Sequence, residues 1–276
     1  MSGDGASAKS DEVTHVEPEA DVKMTIWAHV AELRKRLVRA ALALFAGAAV
    51  CWTFREKLLA LITVPYAQQW RERFPNTPVE LQTLAPADAF VNYMQLSLVG
   101  GVVLSIPVIF YQLWAFLSPG LYSKEKKYII PFVVFSTGLF LSGVWFAYRF
   151  AFPFSFQYFF SLLGEVDGQG GIVLTSRPTM EFYLDFVTRM FLAFGFVFEL
   201  PLFIAFLAMA GIVTPRQLWR FGKYAVVAAF AVGAFITPPD VTSQLTVAAA
   251  LIGLYYLSVG LAFIVGKRRD EPASAD

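Results

Sequence analysis

Apolar positions along this chain come in long blocks, without the strict alternation of strands or the narrow stripes of soluble amphipathic helices. The blocks cover about residues 37-54, 89-117, 128-150, 182-212, 222-236 and 246-265, and the intervening segments hold most of the Lys, Arg, Asp and Glu. A block near twenty residues suits a hydrocarbon layer about 30 Å thick, so each predicts a membrane-crossing helix. Pro107 and Pro201 fall inside blocks and predict bends, because neighbouring helices can satisfy the carbonyls a proline frees. The fifth block, at about 23 Å if helical, is short for a bilayer. The expected fold is an all-α integral membrane protein of six transmembrane helices with short fifth and sixth spans.

The flanks divide the chain further. Residues 1-24 are polar and acidic, with too little apolar surface to offset the entropy of ordering, and are expected to be a disordered tail. The membrane domain follows over 25-266, and 267-276 form a short closing tail. The amphipathic stretch IWAHVAELRKRL leads into the first block, which resembles a cleavable signal sequence, but five further blocks and the long preceding tail favour an uncleaved anchor.

Orientation follows from the basic residues. Arg34, Lys35, Arg36 and Arg39 precede the first block, and Lys124, Lys126 and Lys127 join the second to the third. Arg216, Arg220 and Lys223 join the fourth to the fifth, and Lys267, Arg268 and Arg269 follow the sixth. With six crossings all four clusters share one side, which predicts that side, and both termini, to be cytoplasmic. The opposite side receives the long loops 55-88 and 151-181 and the turn TPPDVTSQ. Apolar stretches in those loops, LLALITVPY and FPFSFQYFFSLL, are expected to lie on the membrane surface as amphipathic helices.

Composition narrows the chemistry. The chain is 57% hydrophobic and 16% charged, far from a soluble average. Cys51 is the only cysteine, so no internal disulfide forms, and neither His15 nor His29 makes a metal-spaced cluster with it. There is no GxxxxGK[ST] loop, HExxH or GxSxG. No catalytic residue, metal, cofactor or nucleic-acid partner is expected, and the chain is read as a non-enzyme.

Carboxylates placed relative to the membrane remain. Glu199 stands inside FGFVFELPLFIAF, where a charge costs on the order of 3 kcal/mol unless it faces the protein interior or water. Glu32 lies four residues before Arg36, which fits either a solvated surface ion pair or a functional acid. Glu125 sits in a first helical turn that Ser123 is placed to cap, where an acid is favoured by the helix dipole in any case. The predicted topology puts Glu32 and Glu125 on one cytoplasmic face. Arg189 shares a helical face with Glu181 and Asp185, which predicts pairing there and snorkelling toward the outer interface.

HVAELRKRL, YQLWAFLSPGLYSKEKK, FVFELP and TPPDVTSQ, in this order among six apolar blocks, resemble TatC, the core subunit of the twin-arginine protein translocase. The resemblance covers nearly all the chain beyond the tail. It implies a receptor for signal peptides carrying paired arginines, with Glu32 and Glu125 at the positions of the family's signal-contacting acids, a chemistry that suits guanidinium forks. It implies that Phe116 packs against apolar signal residues and that Arg34 and Arg36 hold the loop or contact signal carbonyls. Pro65, Tyr148, Glu199, Asp240 and Gln244 also match family motif positions, with Pro201 beside Glu199. His29 falls at a motif position as well, where capping or packing is the simpler role.

The implied assembly is a curved, concave six-helix wall in the bacterial inner membrane with Glu199 facing its interior. Its partners would be twin-arginine precursors, TatA-like and TatB-like single-span proteins and further copies of the chain, and the proton-motive force would drive export. Two other classes compete. One is a proton-coupled secondary transporter with Glu199 as relay, against which stands the lack of matched broken helices in the two halves. The other is an intramembrane enzyme pairing Glu199 with Asp240, whose predicted depths differ. The short fifth span predicts a locally thinned bilayer, with Gln244 offering its amide to a partner helix at the outer rim.

Overall fold

The computed structural model describes residues 26-117, 129-165, 171, 173-236 and 241-265. Glu125 and Asp240 lie outside the described residues, as do the two tails.

Helix α1 (Ile26–Thr53) joins the amphipathic stretch and the first apolar block into one rod, so the helix begins well before residue 37. Helix α2 (Arg55–Arg73) follows after a single residue. Helix α3 (Pro86–Leu117) begins where the Asp88 carboxylate accepts from the Leu84 and Ala85 amides at 3.1 and 2.7 Å, and it continues through Pro107. The third block is α4 (Ile129–Phe146) and a π-helical turn (Ala147–Ala151), and α5 (Phe152–Ser161), from the loop expected after it, continues in direct succession. A hairpin of two-residue strands, β1 (Gly164–Glu165) and β2 (Val173–Leu174), precedes α6.

The fourth block is two helices, α6 (Met180–Val197) and α7 (Leu200–Met209). Thr179 caps α6 by accepting from the Phe182 amide at 3.3 Å. Pro201 occupies the first turn of α7, where its missing N–H costs no internal bond. The expected bend is therefore a break, with Phe198 and Glu199 between the helices.

Helix α8 (Pro215–Ile236) starts seven residues earlier than the apolar pattern implies. The cause is TPRQ: the Gln217 amide donates to the Thr214 hydroxyl at 3.3 Å, the Thr214 amide donates to Gln217 Oε1 at 3.0 Å, and Pro215 takes the first helical position. This is a reciprocal capping box. With α9 (Val241–Val265) it makes both helices longer than the apolar blocks from which short fifth and sixth spans were expected. At 22 and 25 residues they span roughly 33 and 37 Å. What is short in α8 is its apolar part, because Arg216, Arg220 and Lys223 occupy its start.

Five segments are long and apolar enough to cross a membrane by length and composition: His29–Thr53, Pro86–Leu117, Ile129–Ser161, Met180–Met209 and Gln244–Ile264. Their outward side chains, such as Leu42, Phe45, Phe135 and Ile264, are large, apolar and exposed, as a lipid-facing surface requires.

Helix α1 packs on α3, α3 on α4 and α6, and α8 and α7 on α9. The α1–α3 seam is built from small residues: a Cβ on Gly101 would stand 2.6 Å from the Ala48 amide nitrogen, and one on Gly47 2.9 Å from the Gly101 carbonyl oxygen. Backbones approach this closely in lipid because packing, not water exclusion, drives association there.

The main core lies at the end where α2, α5 and the start of α6 meet. Tyr66, Trp70, Phe156, Phe160 and Tyr183 are buried together, with Tyr66 edge-on to Phe156 and Tyr183 at 5.4 and 5.6 Å between centroids. FPFSFQYFF, expected to lie on the membrane surface as an amphipathic helix, buries one face in this core while Phe154 on the other stays exposed. Phe152, Phe156 and Phe160, one turn apart, form an apolar stripe that α2 and α6 cover. Burial pushes the Tyr66 phenol up to about 12, and its hydroxyl oxygen is buried without a partner among the described residues.

Candidate functional site

The start of α1 and the end of α3 come together at one end of the molecule. The His29 ring stacks on Phe116 with centroids 4.4 Å apart and planes at 20°. Gly47 meets Gly101 farther along, so the helices are antiparallel with a steady register, which sets Arg36 at the level of Gln112.

Glu32 carries the chemistry of this seam. Arg36 Nε donates to Glu32 Oε1 at 2.9 Å, and its terminal nitrogen makes a second, shorter contact to the same oxygen. The i,i+4 spacing on a continuous helix accounts for the pair. The side chains are each 20% exposed, so solvent does not fully screen it. Glu32 Oε2 is buried and has no partner among the described residues. Gln112 Oε1, on the facing helix, is buried and unpaired among the described residues as well. A buried acceptor left unmatched costs on the order of 1–3 kcal/mol, so this seam holds two acceptors for which the described residues provide no donor. Arg34, Lys35 and Arg39 are exposed and point away, lining a shallow basic depression with Trp27.

Glu199 sits elsewhere, at the α6–α7 break. It is half-buried, its Oε1 is buried without a hydrogen-bond partner among the described residues, and the Ser136 hydroxyl and Phe140 backbone of α4 face its carboxyl group. Trp114 Nε1 donates to Ser136 Oγ at 2.8 Å. A polar path therefore runs from α3, two residues before Phe116, through α4 to Glu199.

Pro65 and Tyr148 prove to be one unit. Pro65 has no N–H to offer the Leu61 carbonyl one turn earlier in α2, and the Tyr148 hydroxyl donates to that carbonyl at 3.0 Å. Tyr183 does the same for Ile62, at 2.6 Å. The two tyrosines thus hold α2 against the π-turn and α6. Gln244 donates its amide to the Phe230 carbonyl at 3.2 Å and so ties α9 to α8.

Arg189 reaches Asp185 at 3.5 Å, and Asp185 also accepts from Gln95 at 2.9 Å. Glu181 is exposed and stands outside that pair. Sequence reasoning passed over Gln112, Trp114 and Ser136. Gln112 had a visible signal, a lone amide inside the apolar run of YQLWAF.

Among the described residues no group of His, Cys, Asp and Glu is arranged to hold a metal.

The comparisons agree on one family. The model for "Sec-independent protein translocase protein (TatC)" matches residues 28–249. The Sec-independent protein translocase protein TatC of Desulforapulum autotrophicum is 39% identical over 247 residues, 88% of this chain and 86% of that protein. That of Helicobacter pylori strain J99 is 37% identical over 237 residues, 86% of this chain and 88% of that protein. A crystal structure of the twin-arginine translocase receptor TatC superimposes with a TM-score of 0.71 at 33% identity, over 86% of this chain and 99% of that one. A second, in the detergent DDM, gives 0.72 at 35%, over 85% and 99%. Family, fold and apolar helices concur: this multi-pass membrane chain belongs to the TatC family of Sec-independent protein translocase proteins.

Proposed function

We propose that this chain is the signal-peptide receptor and scaffold of a twin-arginine translocase, with the α1–α3 seam as the place where the paired arginines are read. The observation that carries the reading is Glu32 Oε2, an ionisable oxygen buried with no donor among the described residues, one helical turn from His29, which stacks on Phe116. A guanidinium offers five donors and no acceptor, so it complements a carboxylate oxygen and an amide oxygen held on facing helices. Arg36 keeps Oε1 and orients the carboxylate, while an incoming arginine takes Oε2 and the second arginine falls to Glu125. Phe116 supplies an apolar surface for the residue that follows the pair, and Arg34 is left free for the peptide's carbonyls.

The surrounding assembly belongs to the same reading. Helix α8 makes the sixth crossing despite its basic start, both termini lie in the bacterial cytoplasm, and the wall is concave toward Glu199. Glu199 offers a polar site within the bilayer, and Asp240 and Gln244 mark the outer rim where TatA-like or TatB-like helices and further copies dock. Export draws on the proton-motive force, each charge gaining about 2.3 kcal/mol per 100 mV.

The test is precursor binding to the purified protein in nanodiscs. Glu32→Ala and Glu125→Ala should each weaken a twin-arginine precursor by roughly 1.5–3 kcal/mol, the scale of hydrogen bonds to charged groups, and Glu32→Lys should weaken it further. Undiminished binding by the double Ala variant sinks the assignment.

A further inference from the structure

A cleft at the end of the molecule opposite the α1–α3 seam has no part in the reading above. Two extended segments, residues 78-82 and 175-179, run parallel and touch at one point. There the Gln82 amide donates to the Pro178 carbonyl at 3.1 Å and the Met180 amide to the Gln82 carbonyl at 2.8 Å. On the Thr77 and Thr175 side of this bridge the segments separate around a cavity of about 330 Å³. Its floor is Trp70, Phe74 and Leu163, and Trp70 is fixed by its Nε1 donating to the Thr77 carbonyl at 3.2 Å.

Both segments contribute to the lining, Pro78 and Glu80 from one and Thr175, Ser176 and Arg177 from the other. Among the described residues, none of the amides or carbonyls of Val79, Glu80, Leu81, Thr175, Ser176 or Arg177 has a backbone partner. Two parallel extended segments whose main-chain groups lack backbone partners among the described residues, beside an apolar pocket, suit one more extended chain, read through its main chain and through a side chain dropped into the pocket. Glu80 and Arg177 line the rim, and Arg73 approaches Gly164 beside it, giving two bases to one acid among the described side chains.

We propose that this cleft binds an extended segment of the exported polypeptide on the outer face, one presenting a large apolar side chain with a carboxylate near it. Main-chain recognition tolerates varied sequences, as a site serving many cargoes must. The inference rests on the export reading given above.

The experiment places a photoreactive benzoylphenylalanine at Thr77 or Arg177, in full-length protein with its partner subunits in membranes. A twin-arginine precursor is arrested part-way by a tightly folded passenger. The expected adduct joins either position to the precursor just after its signal peptide. Ser176→Pro, which removes one wall amide, should lower that adduct and the export rate by about tenfold, the scale of one lost hydrogen bond, whereas Ser176→Ala should lower neither. Both variants should still bind precursor on the cytoplasmic side. Adducts only to lipid or to a second copy of this chain, with precursor bound normally, would overturn the cleft assignment and leave the receptor reading standing. Loss of precursor binding by the unsubstituted protein would overturn both.

Discussion

At the scale of single residues the structure turns several motif positions into hydrogen-bond arithmetic. Pro65 leaves the Leu61 carbonyl without its helical donor, and Tyr148, from a distant part of the chain, supplies one. The two therefore act as a pair. Tyr148→Phe should cost about 0.5–1 kcal/mol by losing the donor to the Leu61 carbonyl. In a Pro65→Ala background, where the helix can provide its own amide, the same change should cost markedly less, and the difference is a coupling energy. Thermal unfolding of the four variants in one detergent measures it, and strict additivity would show that the bond contributes nothing.

At the scale of elements, close helix seams and capped ends decide the arrangement. Helix α1 has little but α3 to hold it, and the contact is made by Gly47, Ala48 and Gly101. Gly101→Val would drive side-chain atoms into the Ala48 backbone, so α1 should tilt or detach and carry Glu32 away from Gln112 and Phe116. A Cβ added at Gly260 would meet nothing within 4 Å, so Gly260→Ala should be neutral or slightly stabilising, as an interior helical glycine is worth about 1 kcal/mol less than alanine. Crosslinking of a cysteine at 29 to one at 116, in a Cys51→Ser background, distinguishes the cases. It should persist in Gly260→Ala and fall sharply in Gly101→Val; an unchanged yield in Gly101→Val would mean that the seam tolerates a wider gap.

At the scale of the whole molecule the question is how α8 meets the bilayer. The helix is long enough to cross, but its apolar part from Tyr224 to Ile236 covers only about 20 Å against a hydrocarbon core of about 30 Å. Lys223 and Arg220 can snorkel, with Lys223 Nζ already lying 5.0 Å from the Tyr224 ring centroid. The remaining mismatch should thin the membrane beside α8, while α9, with its longer apolar run Gln244–Ile264, needs no such adjustment. Spin labels placed along 222-236 should report a narrower water-free zone than labels along α9. Equal zones on both helices would contradict the thinning.

The sequence alone determined the apolar blocks, the lack of nucleotide, metal and nucleophile motifs, and the identity of the family, because each is a property of a contiguous stretch. It also contained the start of α8, since TPRQ carries a complete capping box, although the apolar pattern by itself pointed to Gly222. Other features were not local. FPFSFQYFF reads as apolar all round, and only its docking against α2 and α6 decided that Phe152, Phe156 and Phe160 are the core face. Glu32 with Arg36 reads as an ordinary surface pair until packing buries one carboxylate oxygen, with Gln112 buried on the facing helix. The slot between residues 78-82 and 175-179 joins segments nearly a hundred residues apart, neither of which has a pattern of its own. Hydropathy and capping act within one helix, whereas which helix faces which, and which polar atoms are left unmatched, follow from seams of small residues and from register between segments, and those exist only once the chain has packed.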